Sequence, residues 1–285
     1  SAISGSLGTV IPPSITFIIY GMITGESIGD LFLSGIVPGL IFGFMLCIMV
    51  FIKSKKNGWK GETQRASLKE IGRLFLDTIW GLLSPVIVLG GIYSGLFTPT
   101  EAAAVAVVYS LIVGIFIYKE LRLAELKETL FSTAKTTGMI LLIIMNAGIF
   151  SWVLTQQGIA ASLTEMALAL TDNKYIMLVI INIVFLCAGC VMDNTSALYI
   201  LVPIIMPIAK ALDINMIQLG VILVLNLSIG QVTPPVGPNL YVAADIGKVK
   251  FEEICRKMVP LLLMSLLALL CITYIPALSL CLIPS

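Results

Sequence analysis

An all-α integral membrane protein, made of inverted-topology repeats with broken helices and a re-entrant hairpin, is the fold class that three features of the sequence predict. Hydrophobic residues make up 58% of the 285 and charged residues only 12%, whereas soluble domains are near half apolar and a quarter charged. The stretch Ser6-Leu7-Gly8-Thr9-Val10-Ile11-Pro12-Pro13 returns without a gap, 222 residues on, as Ser228-Ile229-Gly230-Gln231-Val232-Thr233-Pro234-Pro235. Four consecutive polar residues, Asp193 to Ser196, separate two apolar stretches that are each short for a tilted crossing.

The first element is the proline pair at 12 and 13. Two prolines remove two backbone donors and push the residue before them out of the α region, so a helix breaks there. At membrane depth a break is tolerated only where the freed carbonyls are buried in protein or face a polar cavity or an ion. Carbonyls around Gly8, Val10, Ile11 and Pro13, and around Gly230, Val232 and Thr233, are therefore oriented acceptors, and Ser4, Ser6, Asn226, Ser228 and the Thr233 hydroxyl stand close by in sequence. Hard oxygens without thiols or imidazoles suit an alkali cation. The chain has no histidine to serve as proton relay or zinc ligand. A proline kink propped by neighbouring helices is the bland alternative; two matching copies weigh against it more than one would.

The same offset pairs Gly25 with Gly247, Val37 with Val259, Pro38 with Pro260 and Leu40 with Leu262. Residues 1–63 thus read as the C-terminal part of a first repeat whose N-terminal portion is absent, and 64–285 as the second repeat. Ser1 then reads as an internal residue of a longer protein. Charge placement supplies the orientation. Lys53, Lys55, Lys56, Lys60, Arg65, Lys69 and Arg73 crowd one loop, Lys119, Arg122, Lys127 and Lys135 a second, and Lys248, Lys250, Arg256 and Lys257 a third; the positive-inside bias puts all three on the cytoplasmic side. Glu26 and Asp30 then fall outside while their counterparts Lys248 and Glu252 fall inside, which is the signature of an inverted repeat.

Apolar stretches suitable for membrane segments follow at Leu31–Ile52, Leu83–Phe97, Ala102–Tyr118, Gly138–Leu154, Tyr175–Val191, Ile217–Ile229 and Met258–Ile283. Amphipathic helices near 64–76 and 120–133 are expected to lie along the cytoplasmic interface, and Trp59, Trp80 and Trp152 suit interfacial belts. Thr98-Pro99-Thr100-Glu101 reads as a helix start in which Glu101 caps and complements the dipole. Cys187-Ala188-Gly189-Cys190 has redox-pair spacing, but within an apolar helix it reads as small packed residues. Asp193, Asn194 and Thr195 form the tip of the re-entrant hairpin, and an intramembrane carboxylate is a functional candidate by default. An ordinary loop between two short spans is the alternative there.

Four motifs carry a family resemblance: 8–14 (Gly-x-Val-Ile-Pro-Pro-Ser), 95–104 (Gly-Leu-Phe-Thr-Pro-Thr-Glu-Ala-Ala-Ala), 192–197 (Met-Asp-Asn-Thr-Ser-Ala) and 226–237 (Asn-Leu-Ser-Ile-Gly-Gln-Val-Thr-Pro-Pro-Val-Gly). In this order the chain resembles the large membrane subunit of tripartite ATP-independent periplasmic (TRAP) transporters. The resemblance implies an elevator-type sodium symporter in the bacterial inner (cytoplasmic) membrane. Its cargo would be an organic acid delivered by a periplasmic substrate-binding protein, and its partner a small four-helix membrane subunit. It also implies one Na+ site at Gly8 and Val10, a symmetry mate at Gly230 and Val232, and Asp193 near substrate or sodium. One departure is that Gln156 and Ala160 follow Trp152-Val153-Leu154-Thr155 where the family often has a charged residue and a proline.

Other functions fit less well. A proton-coupled organic anion carrier of a related inverted-repeat family would rely on Asp193 with few buried acids to help it. An intramembrane hydrolase needs a nucleophile or a second carboxylate near the bond, and a pore would need a filter sequence such as Thr-Val-Gly-Tyr-Gly. A net charge of +1 implies no nucleic-acid partner.

Overall fold

The computed structural model describes residues 2–59 and 67–283. All regular structure among them is helical: α1 (Ala2–Leu7), α2 (Ile15–Thr24), α3 (Ile28–Asn57), α4 (Leu68–Tyr93), α5 (Pro99–Ile112), α6 (Leu123–Gln156), α7 (Ile159–Leu170), α8 (Lys174–Val191), α9 (Asn194–Ala211), α10 (Met216–Gly230), α11 (Pro238–Gly247), α12 (Phe251–Tyr274) and α13 (Ala277–Leu280). A π-helical turn at Val113–Ile117 prolongs α5. Among the described residues seven helices are long and apolar enough to cross a membrane: α3, α4, α5 with its π turn, α6, α8, α9 and α12.

The chain forms two compact units, one of residues 1–55 with 144–285 and one of 56–143. The boundary at 63/64 expected from the sequence repeat lies outside the described residues. In the first unit α10 is the axis: every residue from Gln218 to Gly230 is buried. A helix apolar on all sides must be surrounded, and α8, α9, α12, α2 and α1 all pack on α10. Its two amide side chains donate to partners inside. Asn226 Nδ2 donates to the Asn182 carbonyl and Oδ1 at 3.0 and 2.8 Å, Asn182 Nδ2 to Thr273 Oγ1 at 3.1 Å, and Gln218 Nε2 to the Thr273 carbonyl at 3.1 Å. This ladder joins α8, α10 and α12, as buried amides require.

Glycines permit the closest approaches. A Cβ on Gly230 would lie 2.7 Å from the Gly189 backbone, so α8 and α10 touch main chain to main chain. That contact accounts for the small residues between Cys187 and Cys190, whose thiols are free. In α3, Gly35, Gly39 and Gly43 repeat at helical spacing, and a Cβ there would meet Phe17 and the Val10 carbonyl, Ile11, and Leu7 respectively. Small residues every fourth position let helices close in where no hydrophobic gain drives them together.

In the second unit Tyr109 and Tyr118 donate their hydroxyls to the carbonyls of Trp80 and Asp77, at 2.6 and 3.0 Å. Thr98 and Glu101 form the expected capping box, with Glu101 Oε2 accepting from the Thr98 N–H and hydroxyl, both at 2.8 Å. The two stretches expected to lie along the interface are helical but are not separate helices. Residues 68–76 run unbroken into the apolar part of α4, and 123–133 into that of α6. No proline interrupts either junction, and one continuous helix spares four orphan backbone groups at each end that a break would create. This also supplies the length that Leu83–Phe97 and Gly138–Leu154 lacked.

Candidate functional site

Both proline pairs break their helices, and simple hydrogen-bond accounting says what each break exposes. In a continuous helix the carbonyl of residue i accepts from the N–H of i+4. Pro12 and Pro13 have no N–H, so the carbonyls of Gly8 and Thr9 lose their partners. Thr9 is repaid by the Ser14 hydroxyl, which donates to its carbonyl. Gly8 is not: no donor among the described residues reaches its carbonyl, nor that of Val10. Val10 is fully buried, with its carbonyl facing Gly35 of α3.

The second break obeys the same rule. Pro234 and Pro235 orphan the carbonyls of Gly230 and Gln231. Gly230 accepts instead from the Thr233 N–H at 2.9 Å, and Gln231 from the Asn239 N–H at 3.1 Å. The carbonyl of fully buried Val232 has no donor among the described residues. Helices α2 and α11 resume after the breaks over nearly the same positions of the 222-residue register, and the Pro12–Pro13 and Pro234–Pro235 bonds are both cis.

The two breaks meet. Thr9 Oγ1 lies 2.5 Å from Ser228 Oγ, while Asn239 Nδ2 donates to Gln231 Oε1 at 3.1 Å and to Ser6 Oγ at 3.4 Å. Ser6 and Ser228 are fully buried. Thr233 Oγ1 donates to the Ile229 carbonyl at 2.7 Å. A cavity of about 430 Å³ opens beside this crossing, with Thr9, Gln231 and Asn239 on its wall.

The hairpin tip reaches the second break by main chain, the Gly237 N–H donating to the Cys190 carbonyl at 3.1 Å. Asp193 is exposed and spends both carboxylate oxygens capping α9: Oδ2 accepts from the Ser196 N–H at 3.0 Å and Oδ1 from its hydroxyl at 2.6 Å. The buried polar atom of the tip is its neighbour, Asn194 Oδ1, which has no partner among the described residues, as is true of Asn226 Oδ1 in α10. Thr195 is half-buried beside them in sequence.

The structure therefore gathers Ser6, Gly8, Val10 and Pro13 at one break and Ser228, Gly230, Val232 and Thr233 at the other, joined through Thr9, Gln231 and Asn239. Those three joining residues are absent from the sequence-derived set. A signal for two of them was present, since the 222-residue shift carries Thr9 onto Gln231 and so keeps a polar residue at one position of both copies. Asn239 falls opposite Phe17 and has no such signal. Among the described residues no group of three or more Cys, Asp or Glu could hold a metal ion, and the oxygens named at the two breaks are neutral.

A model of the tripartite ATP-independent periplasmic transporter family, DctM component, matches residues 1–278. The chain belongs to this family. It is 43% identical to the C4-dicarboxylate TRAP transporter large permease protein DctM of Pseudomonas aeruginosa, over 98% of the chain and 65% of that protein. It is 41% identical to the isethionate TRAP transporter permease protein DctMQ of Oleidesulfovibrio alaskensis, over 97% of the chain and 44% of that protein. With the sialic acid TRAP transporter large permease protein SiaM of Vibrio cholerae the identity is 36%, over 98% and 65%. The chain thus spans less than two thirds of the length of these curated relatives. Membership in the TRAP family and seven membrane-length helices make it a multi-pass membrane protein.

Proposed function

We propose that this chain forms most of the translocating subunit of a sodium-coupled TRAP transporter that imports an organic acid. The observation that carries this reading is the pair of proline breaks, in which the carbonyls of Gly8, Val10 and Val232 accept from no donor among the described residues. At fully buried Val10 and Val232 a carbonyl without a partner costs about 1–3 kcal/mol, and a bound cation offsets that cost. Sodium is here a co-transported substrate. Ser6, Pro13, Ser228, Gly230 and Thr233, with the unpartnered amide oxygens of Asn194 and Asn226, complete a set of hard neutral ligands suited to it.

In the proposed cycle sodium occupies the two breaks and orders the re-entrant tip at Asp193, Asn194 and Thr195. The organic acid then binds, and an elevator-type rigid-body movement carries it across. The inverted repeats supply the two mirror-related states. The acid's carboxylate would meet neutral donors and helix N-termini at the breaks. The relatives are named for different acids, so the class is assigned as organic acid only. A periplasmic binding protein and a small membrane subunit are the expected partners. The relative named DctMQ is consistent with a large and a small subunit that work as one. The expected location is the bacterial inner membrane.

Uptake by the complete transporter reconstituted in vesicles tests this reading at fixed pH. Uptake that requires an inward sodium gradient supports it. Uptake equal in sodium and choline, and driven by a proton gradient instead, overturns it in favour of proton coupling.

A further inference from the structure

We infer that Asn239 is a positioning residue that couples the two helix breaks, so that cation binding at one prepares the other. The inference rests on the sodium reading above and concerns how its two sites communicate. Its basis is a relation between contacts. The 222-residue shift that aligns the breaks carries Thr9 onto Gln231 and Ser6 onto Ser228. A contact between Thr9 and Ser228 therefore has a counterpart between Gln231 and Ser6. The first is direct, the two hydroxyl oxygens being 2.5 Å apart. The second is bridged: Asn239 Nδ2 stands between Gln231 Oε1 at 3.1 Å and Ser6 Oγ at 3.4 Å.

The chemistry of each link makes it responsive to what the breaks hold. Thr9 and Ser228 have one hydroxyl hydrogen each. They face three acceptors: the Ser6 carbonyl at 2.8 Å from Thr9 Oγ1, the Val224 carbonyl at 2.6 Å from Ser228 Oγ, and each other. Two protons cannot serve three bonds. Whichever hydroxyl donates across the crossing leaves the carbonyl on its own side with one bond fewer, the Ser6 carbonyl keeping the Thr9 N–H at 3.3 Å, so a charge bound at either break biases the proton arrangement on both sides. Asn239 adds a rigid second strut. Its backbone N–H holds the Gln231 carbonyl that Pro235 leaves without a partner, at 3.1 Å, while its side chain holds Ser6 in the other break. A displacement of Gln231 upon ion binding is thereby passed to Ser6. Such coupling is reciprocal between the two sites.

The test uses the complete transporter with its partner subunits, and reads sodium both by equilibrium stabilisation of the purified protein against heat and by uptake in vesicles. Wild type is expected to respond to sodium cooperatively, with a Hill coefficient above 1. Asn239→Ala removes the Nδ2 contact to Ser6, and Gln231→Met removes the Oε1 that orients Asn239 Nδ2 toward Ser6; both are expected to lower the Hill coefficient toward 1 and to raise half-saturating sodium roughly fivefold, the weight of one net hydrogen bond. The double variant is expected to be no worse than either single one, because both break the same link. A merely structural role would lower the yield or the maximal rate and leave the shape of the sodium curve alone. Single variants with the wild-type Hill coefficient and half-saturation, or strictly additive effects in the double, overturn the inference while leaving sodium coupling intact. A wild-type protein that ignores sodium in both measurements overturns the proposed function and this inference with it.

Discussion

Replacing Gly230 by alanine tests the packing on which the second break depends. The substitution adds one methyl group at the last residue of α10, and that methyl would lie 2.7 Å from both Cα and C of Gly189 and 3.1 Å from the Cys190 nitrogen. Ordinary contact distances are about 3.5–4.0 Å, so α8 and α10 must part by roughly 0.8 Å or more. The obstacles are backbone atoms, which cannot rotate aside as a side chain would. Overpacking of this kind costs about 1–3 kcal/mol. Alanine recovers about 0.5–1 kcal/mol of helix propensity over glycine, which leaves a net loss near 1–2 kcal/mol. Gly148→Ala in α6 is the control, since nothing lies within 4 Å of its added methyl; it keeps the propensity gain without the clash. Thermal unfolding of the purified protein in detergent is expected to fall for Gly230→Ala and to hold or rise for Gly148→Ala. A Gly230→Ala protein as stable as wild type would refute the backbone contact between α8 and α10.

Three further outcomes follow from named contacts. Pro12→Ala returns an N–H to the place where the Gly8 carbonyl, which accepts from no donor among the described residues, would find it in a helix, and is expected to raise half-saturating sodium about tenfold in uptake assays, the weight of one ligand to a charged group. Asp193→Ala removes the cap from α9, at a cost of about 1 kcal/mol, and is expected to lower uptake per folded protein; Asp193→Asn keeps a capping oxygen and is expected to preserve uptake, and loss of uptake in it would contradict a purely capping role. Thr98→Ala dismantles the capping box of α5 and is expected to cost about 1 kcal/mol in thermal stability while leaving the sodium dependence of uptake unchanged.

Much of this architecture is legible in the sequence because its strongest constraints are local. A proline pair deletes two donors wherever it falls, so both breaks could be located from Pro12, Pro13, Pro234 and Pro235 alone. The capping box at Thr98 is equally local. What escaped was of two kinds. The continuity of α4 and α6 through their charged starts was hidden, because polarity marks where a helix leaves the bilayer and says nothing of whether it ends there. Contacts across the fold were hidden as well: Gly189 against Gly230, the glycine face of α3 against the first break, and Asn239 between Ser6 and Gln231 join residues 41, 25 or more and 233 or 8 positions apart. Asp193 and Asn194 divide the features of the tip between them. A carboxylate among apolar residues draws attention, yet its oxygens are taken up by Ser196, and the unsatisfied atom of the tip belongs to Asn194.

Equilibrium binding of radioactive sodium to the purified transporter, in the absence of any gradient, tests most directly whether the two breaks hold the ion. The account predicts saturable binding that choline does not displace and that is lost or severely weakened when Pro12 and Pro13, or Pro234 and Pro235, are replaced by alanine. Absence of saturable binding, or binding untouched by loss of both proline pairs, would contradict it.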